Sequence, residues 1–240
     1  MDEASRLAIN YADFFPQANN SYVPRCTYVA EGSVAKISFG TPAVANNAGL
    51  LAAAAMDLDL AGGETFTTFV ATGGGANGIM DARYGRNVTI TASADVGAGT
   101  AIITVKGFDY LMQPMTETIT IANGQTVGTG LKAFKKVTSI SHTGVSAAVT
   151  GRAGFGDVLG LPYKTVKVLT EELDGAVASL GTLVTPVLTD PQTATTGDPR
   201  GTYDPASTLE LTKEITILAV FSNEVVSGNG GYHGIKHFSA

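Results

Sequence analysis

With 240 residues, 15% of them charged, and a formal net charge of −6, the chain is able to bury roughly 70% of its unfolded surface and offers no electrostatic reason to bind nucleic acid. Glycine contributes 29 residues and Trp none; together with abundant Thr, this favours strands, turns and bulges over solvated helices. Cys26 is the only cysteine, which excludes an intrachain disulfide. The start MDEASRLAINYADFF lacks a basic region followed by an apolar one, and the apolar stretch 50–56 is far too short to span a bilayer, so neither a secretion signal nor a membrane anchor is expected.

Residues 1–40 read as an extended N-terminal arm. Asn10 to Ser21 mixes aromatics with Pro16, Gln17, Asn19 and Asn20 and follows neither a period of 2 nor one of 3.6. Within it, Leu7, Tyr11 and Phe14 share a face over a short helix-compatible stretch that Pro16 would end. From residue 41 to 240 a single body is expected, with Gly62-Gly63, Gly73-Gly74-Gly75, Asn123-Gly124 and Gly128 to Gly130 as turn signals between short β-prone runs. In 87–94, Val88, Ile90 and Ala92 alternate with Thr89, Thr91 and Ser93; in 115–122, Ile119 and Ile121 alternate with Thr118 and Thr120. Each pattern predicts a half-buried strand, and the short connection through Gly107 and Pro114 predicts an antiparallel meander. Strands are also expected over 133–141 and 163–170, separated by a Gly-rich loop over 151–162 that anchors itself through Phe155, Val158 and Leu161. The Pro- and Thr-rich stretch 189–205 reads as a long surface loop. Residues 208–226, apolar on both faces around Ile215, Ile217, Ala219 and Phe221, read as a central strand. The fold expected is all-β, an antiparallel β-sandwich or jelly-roll-like body.

Chemistry-bearing motifs are sparse. Asp57 and Asp59 in Met56-Asp57-Leu58-Asp59-Leu60 would share a strand face, which suits a hard cation such as Ca²⁺ but suits better the solvent side of an amphipathic strand. His233 and His237 have the spacing of a helical zinc pair, but Gly230, Gly231 and Gly234 oppose a helix and no Glu lies between them. His142 reads as a polar residue at a strand end, with no GxSxG elbow anywhere to support a triad. The run Gly73 to Gly78 lacks the Lys-Ser/Thr ending of a phosphate-binding loop, and Gly154-Phe155-Gly156-Asp157 does not complete a dinucleotide fingerprint. Lys132, Lys135 and Lys136 around Phe134 read as an edge-protecting strand face or a subunit salt-bridge patch. No catalytic residue, metal site or cofactor is expected.

The runs Tyr84-Gly85-Arg86-Asn87-Val88-Thr89-Ile90, Thr104-Val105-Lys106-Gly107-Phe108-Asp109, Thr116-Glu117-Thr118-Ile119-Thr120 and Lys132 to Ile140 resemble β-rich virion proteins of tailed bacteriophages. Gly156-Asp157-Val158-Leu159-Gly160-Leu161-Pro162 and Gly197-Asp198-Pro199-Arg200-Gly201-Thr202-Tyr203 are similar to the same group, so the resemblance spans about residues 82–203. It implies a non-enzymatic structural protein of the capsid decoration or cement type, made in the host cytoplasm and located on the capsid surface. It also implies the major capsid protein as partner and a homo-oligomer, with a trimer as one option. Tyr11, Phe14, Phe15 and Tyr22 in the arm, and Tyr203 in the loop, are the expected capsid or subunit contacts. The alternatives are a tail, fibre or receptor-binding β-domain in which the 189–205 loop and Tyr203 meet carbohydrate, which the absence of Trp opposes, and a polysaccharide hydrolase, for which no acidic pair stands out.

Overall fold

The computed structural model describes residues 32–58, 62–97, 99–143, 148–222 and 231–235. Among them the chain is all-β, in antiparallel sheets that include a curled half-barrel, as a sandwich reading expects. Strand labels follow chain order. One sheet is ordered β1 (Gly32–Gly40), β14 (Ile215–Ser222), β10 (Thr165–Leu173), β11 (Ala176–Ala178). A six-stranded sheet is ordered β12 (Thr182–Val184), β13 (Thr202–Asp204), β9 (Thr150–Gly160), β4 (Arg86–Ala92), β7 (Val127–Phe134), with β2 (Asn46–Asp57) also paired to β9. The third is ordered β3 (Thr65–Phe66), β8 (Lys136–His142), β5 (Ala101–Phe108), β6 (Pro114–Ile121).

Alternation dictates which faces are buried. Val88, Ile90 and Ala92 of β4, Ala101, Ile103 and Val105 of β5, and Ile119 and Ile121 of β6 point into one apolar core between the second and third sheets. A second core gathers Ile37 and Phe39 of β1, Ile215, Ile217 and Ala219 of β14, Val168, Leu159, Tyr203 and Leu209. β14 lies between β1 and β10, the central position its two apolar faces predict, and the β5–β6 meander pairs in register from Ala101↔Ile121 to Phe108↔Pro114.

Three expectations change. Residues 32–40, read as arm, are β1 and pair with β14 along its length. Residues 151–160, read as a loop, are most of β9, the strand that joins the two cores: Ala153 and Phe155 enter the first and Leu159 the second. Its glycines are what close strand approach requires. A Cβ on Gly154 would lie 1.8 Å from the Asn46 carbonyl oxygen of β2, and one on Gly160 would lie 2.4 Å from that of Tyr84. The single strand read over 133–141 is two strands in different sheets, β7 and β8, which part at Lys135. There the Lys135 ammonium turns inward and donates to the carbonyls of Met80 and Ala82, 2.9 Å each.

Candidate functional site

Several charged side chains are buried and hold turns and strand edges from inside. β5 ends at Asp109, whose Oδ1 accepts the N–H groups of Leu111 (2.9 Å) and Gln113 (2.8 Å), an Asx-type arrangement that folds the β5–β6 turn. Met112 occupies this turn at φ 59, a left-handed conformation that a non-glycine residue keeps only where its surroundings determine it. Oδ2 of Asp109 accepts from Arg200 at 2.9 Å, and both side chains are essentially fully buried. The Arg200 guanidinium also lies 5.0 Å from the centre of the Tyr110 ring, and its backbone N–H donates to Asp198 Oδ1 at 3.0 Å.

Asp198 and Glu117 finish the free side of β7. The register between β4 and β7 slips between Asn87 and Thr89, and the N–H groups of Leu131 and Lys132 in the slipped stretch donate to Glu117 Oε1. The next N–H, of Ala133, donates to Asp198 Oδ2 at 3.3 Å. Lys132, fully buried, sends its ammonium to the carbonyls of Thr116 (3.1 Å) and Thr193 (2.8 Å), while Thr118 N–H reaches Ala194 O at 2.7 Å. The stretch 189–201 is therefore strapped onto β6 and β7. Burial pushes the Glu117 carboxyl up to about 7, against the pull of the two N–H donors and Lys132; the same burial lowers the Lys132 ammonium. Glu117 Oε2 has no hydrogen-bond partner among the described residues.

A second buried cation joins other loops. Arg86, at 0% exposure, donates to the carbonyls of Gly156 and Ala43 and pairs with Asp81 (3.2 Å) and Asp157 (3.3 Å), with its guanidinium 4.4 Å from the Phe155 ring centre. Burial is the largest influence on it and lowers its pKa; Asp81 and Asp157 oppose that.

What this interior supports on the outside is an aromatic surface. Tyr84 and Tyr110 meet edge to face at 5.2 Å, and Tyr163 stacks on Phe221 at 4.7 Å beside Tyr232 and His233. Tyr110 Oη donates to Pro162 O at 2.6 Å and lies 3.4 Å from His233 Nδ1. Tyr84, Tyr110 and Tyr163 are half-buried, Tyr232 is exposed, and Leu111 and Met112 project from the turn at 38% and 60% exposure. Tyrosine and methionine at a partly exposed, rigidly backed surface are what protein interfaces enrich.

The residues singled out from the sequence fare differently. Tyr11, Phe14, Phe15 and Tyr22 lie outside the described residues, as do Asp59 and His237. Tyr203 is not a contact residue. It is fully buried; its ring stacks on Phe39 at 6.4 Å, and its Oη donates to Glu171 at 2.7 Å and accepts from Gly181 N–H at 2.7 Å. Nor is 189–205 an outward loop, because Gln192, Asp198, Arg200 and Thr202 are buried within it. Lys132, Lys135 and Lys136 form no surface patch: Lys132 is buried and the Lys135 ammonium caps carbonyls. His142 is a buried residue stacked on Phe66 at 6.4 Å, with Nε2 3.4 Å from Glu64. Asp57 is exposed between buried Met56 and Leu58, as an amphipathic strand demands, and no group of three metal-ligating side chains occurs among the described residues. Sequence reading does not single out Asp109, Arg200 or Tyr110. Their signal was the acid two and four residues ahead of turn amides between Gly107 and Pro114. No known family, no curated protein and no solved structure matches the chain.

Proposed function

We propose that the chain is a non-enzymatic virion structural protein of a tailed bacteriophage that binds the major capsid protein at the capsid surface and stabilises the shell. The resemblance over residues 82–203 supports this reading, and one structural observation carries it. The chain commits a buried ion pair, Asp109 with Arg200, to holding a turn whose tip offers Leu111 and Met112 to solvent beside half-buried tyrosines. A rigid apolar tip loses little conformational entropy on docking, which suits a protein that must add net stability to an assembled shell. The aromatics of the N-terminal arm, Tyr11, Phe14, Phe15 and Tyr22, add a second contact in this reading.

Cosedimentation of the full chain with undecorated capsids, together with the capsids' thermal disruption temperature, tests it. Binding with a raised disruption temperature is expected, since a ligand of the assembled state stabilises that state by mass action. Leu111→Asp with Met112→Asp should weaken binding at least tenfold while the circular dichroism spectrum is unchanged, and removal of residues 1–24 should weaken it separately. Absence of binding overturns the proposal and moves the assay to host-cell attachment and glycan binding, the behaviour of a tail, fibre or receptor-binding β-domain.

A further inference from the structure

The strap over β6 and β7 is held by polar bonds and not by the cores. β7 is the last strand of the second sheet and β6 the last of the third, and the strap closes the seam between them. Thr118 N–H of β6 donates to Ala194 O at 2.7 Å, Ala133 N–H of β7 donates to Asp198 Oδ2 at 3.3 Å, and the Lys132 ammonium donates to Thr193 O at 2.8 Å. No side chain of 189–201 belongs to either apolar core, and Thr193 and Thr195 are exposed. A segment tied by few polar bonds and little apolar burial opens at lower free energy than the strands beneath it.

Glu117 lies under this seam. Its Oε1 accepts the N–H groups of Leu131 and Lys132, while its buried Oε2 has no hydrogen-bond partner among the described residues. Oε2 fits there because residue 130 is glycine: a Cβ on Gly130 would lie 2.6 Å from Oε2 and 3.0 Å from the Val88 carbonyl oxygen. A carboxylate with one bare, buried oxygen is costly, whereas a proton on Oε2 removes the charge. From β5 Glu117 meets Val105 and from β4 the Val88 backbone. Among the described residues the charged groups that face it are Lys132 of β7 and Asp198 of the strap, the latter 4.0 Å from Arg200 Nε. These two are also the side chains that hold the strap to β7.

We infer that residues 189–198 are a pH-sensitive clasp, closed over the seam while Glu117 keeps its proton and loosened when the proton leaves. Ionised, Glu117 repels the Asp198 carboxylate that holds the strap to Ala133. It also competes for the Lys132 ammonium, because a carboxylate is a stronger acceptor for that group than the Thr193 carbonyl. Both inner anchors weaken together, and lifting the strap lets water reach Glu117. The movement is local, since Arg200 stays paired with Asp109 at 2.9 Å beyond the clasp. Burial pushes the Glu117 carboxyl up to about 7, so the change falls between pH 6 and 8. The clasp is independent of whether the protein binds a capsid.

Amide hydrogen exchange of the full chain, resolved by residue and divided by the intrinsic rate at each pH, tests this. Protection at Thr118 and Ala133 is expected to fall about tenfold from pH 6 to pH 8, the factor for a group that titrates near 7 when closed and near its ordinary value when open. Because the opening is local, protection at these two amides should stay well below that of Ile103 and Ile217 in the central strands and should not respond to low urea. Glu117→Gln keeps the acceptor for Leu131 and Lys132 but cannot ionise, and should abolish the pH dependence. Protection at Thr118 and Ala133 equal to that of the central strands and equally sensitive to urea overturns the inference, since the strap then opens only with the whole fold. So does protection unchanged from pH 6 to 8, or a pH dependence that survives in Glu117→Gln. The urea and pH profiles of the unmodified chain decide by themselves if the variant does not fold.

Discussion

The two ends of the six-stranded sheet are finished in opposite ways. At β7 the free amides of Leu131, Lys132 and Ala133 are taken by carboxylates of Glu117 and Asp198, and residues 189–201 are strapped over them with Lys132 and Arg200 buried beneath. At β12 the segment 175–189 itself carries no charge, Asp204 of β13 stands opposite Thr182, and Val184, Leu180 and Leu188 are exposed. The stretches responsible adjoin in the chain, 175–189 exposing apolar side chains and 190–201 burying polar ones. Composition of a segment therefore does not decide which way it faces; the unsatisfied backbone groups of the strand it lies against do. β7 has donors that need acceptors within the chain. Among the described residues, β12 is left as an edge.

Arg200→Met tests the closed end and carries the largest effect. It leaves Asp109 buried without its guanidinium and frees the strap, so a loss of about 3–5 kcal/mol in urea unfolding is expected, the usual result of deleting one partner of a buried ion pair. A loss under 1 kcal/mol would mean that the strap is dispensable and the contrast between the two ends only apparent.

Next in size is a dependence on pH. The Glu117 carboxyl titrates near 7 in the fold against about 4.5 unfolded, so between those values the native state holds a proton that the unfolded state lacks. Stability then falls as pH rises through that window, by up to about 3 kcal/mol from this group, and levels off above it. Glu117→Gln should flatten the slope. Glu171 at the other end has the opposite sign. Burial raises its pKa, but hydrogen bonds from Ser207, Tyr203 and Ala206 outweigh it and hold the group below its usual value. Its stabilisation is present above the unfolded value and is lost as pH drops through the folded one. Unfolding free energy measured from pH 3 to 9 separates the two windows.

Tyr203→Phe is expected to be milder. It removes the hydroxyl that joins Glu171 to Gly181 but keeps the ring against Phe39, so a loss of about 1.5–3 kcal/mol follows, the range for a hydrogen bond to a charged group. Faster hydrogen exchange at Gly181 would place the effect at the base of the open edge.

Much of this architecture was legible because it rests on periodicity: the alternating patterns around Val88 and Ile119 each put one face inward, the run apolar on both faces around Ile217 marked a central strand, and the meander at Gly107 and Pro114 follows from turn chemistry. β9 was not legible as a strand because its glycines, which read as loop, are required by close approach of distant groups, the β2 backbone at Gly154 and the Tyr84 carbonyl at Gly160, a long-range fact. Tyr203 was misplaced for a similar reason. Its burial depends on Glu171, 32 residues earlier, meeting it across two sheets. Lys132 and Arg200 carry no local mark of burial, since what draws them inside are carbonyls and carboxylates contributed by other strands.

The smallest effect is the one that most sharpens the contrast. Val184→Lys changes a side chain that makes an open edge, and in dilute solution it should move the unfolding free energy by less than about 0.5 kcal/mol, the range of surface substitutions away from special features. If instead Val184→Lys costs stability in dilute solution, then β12 is packed against a part of its own chain, and the edge at that end of the sheet is as closed as the edge at β7.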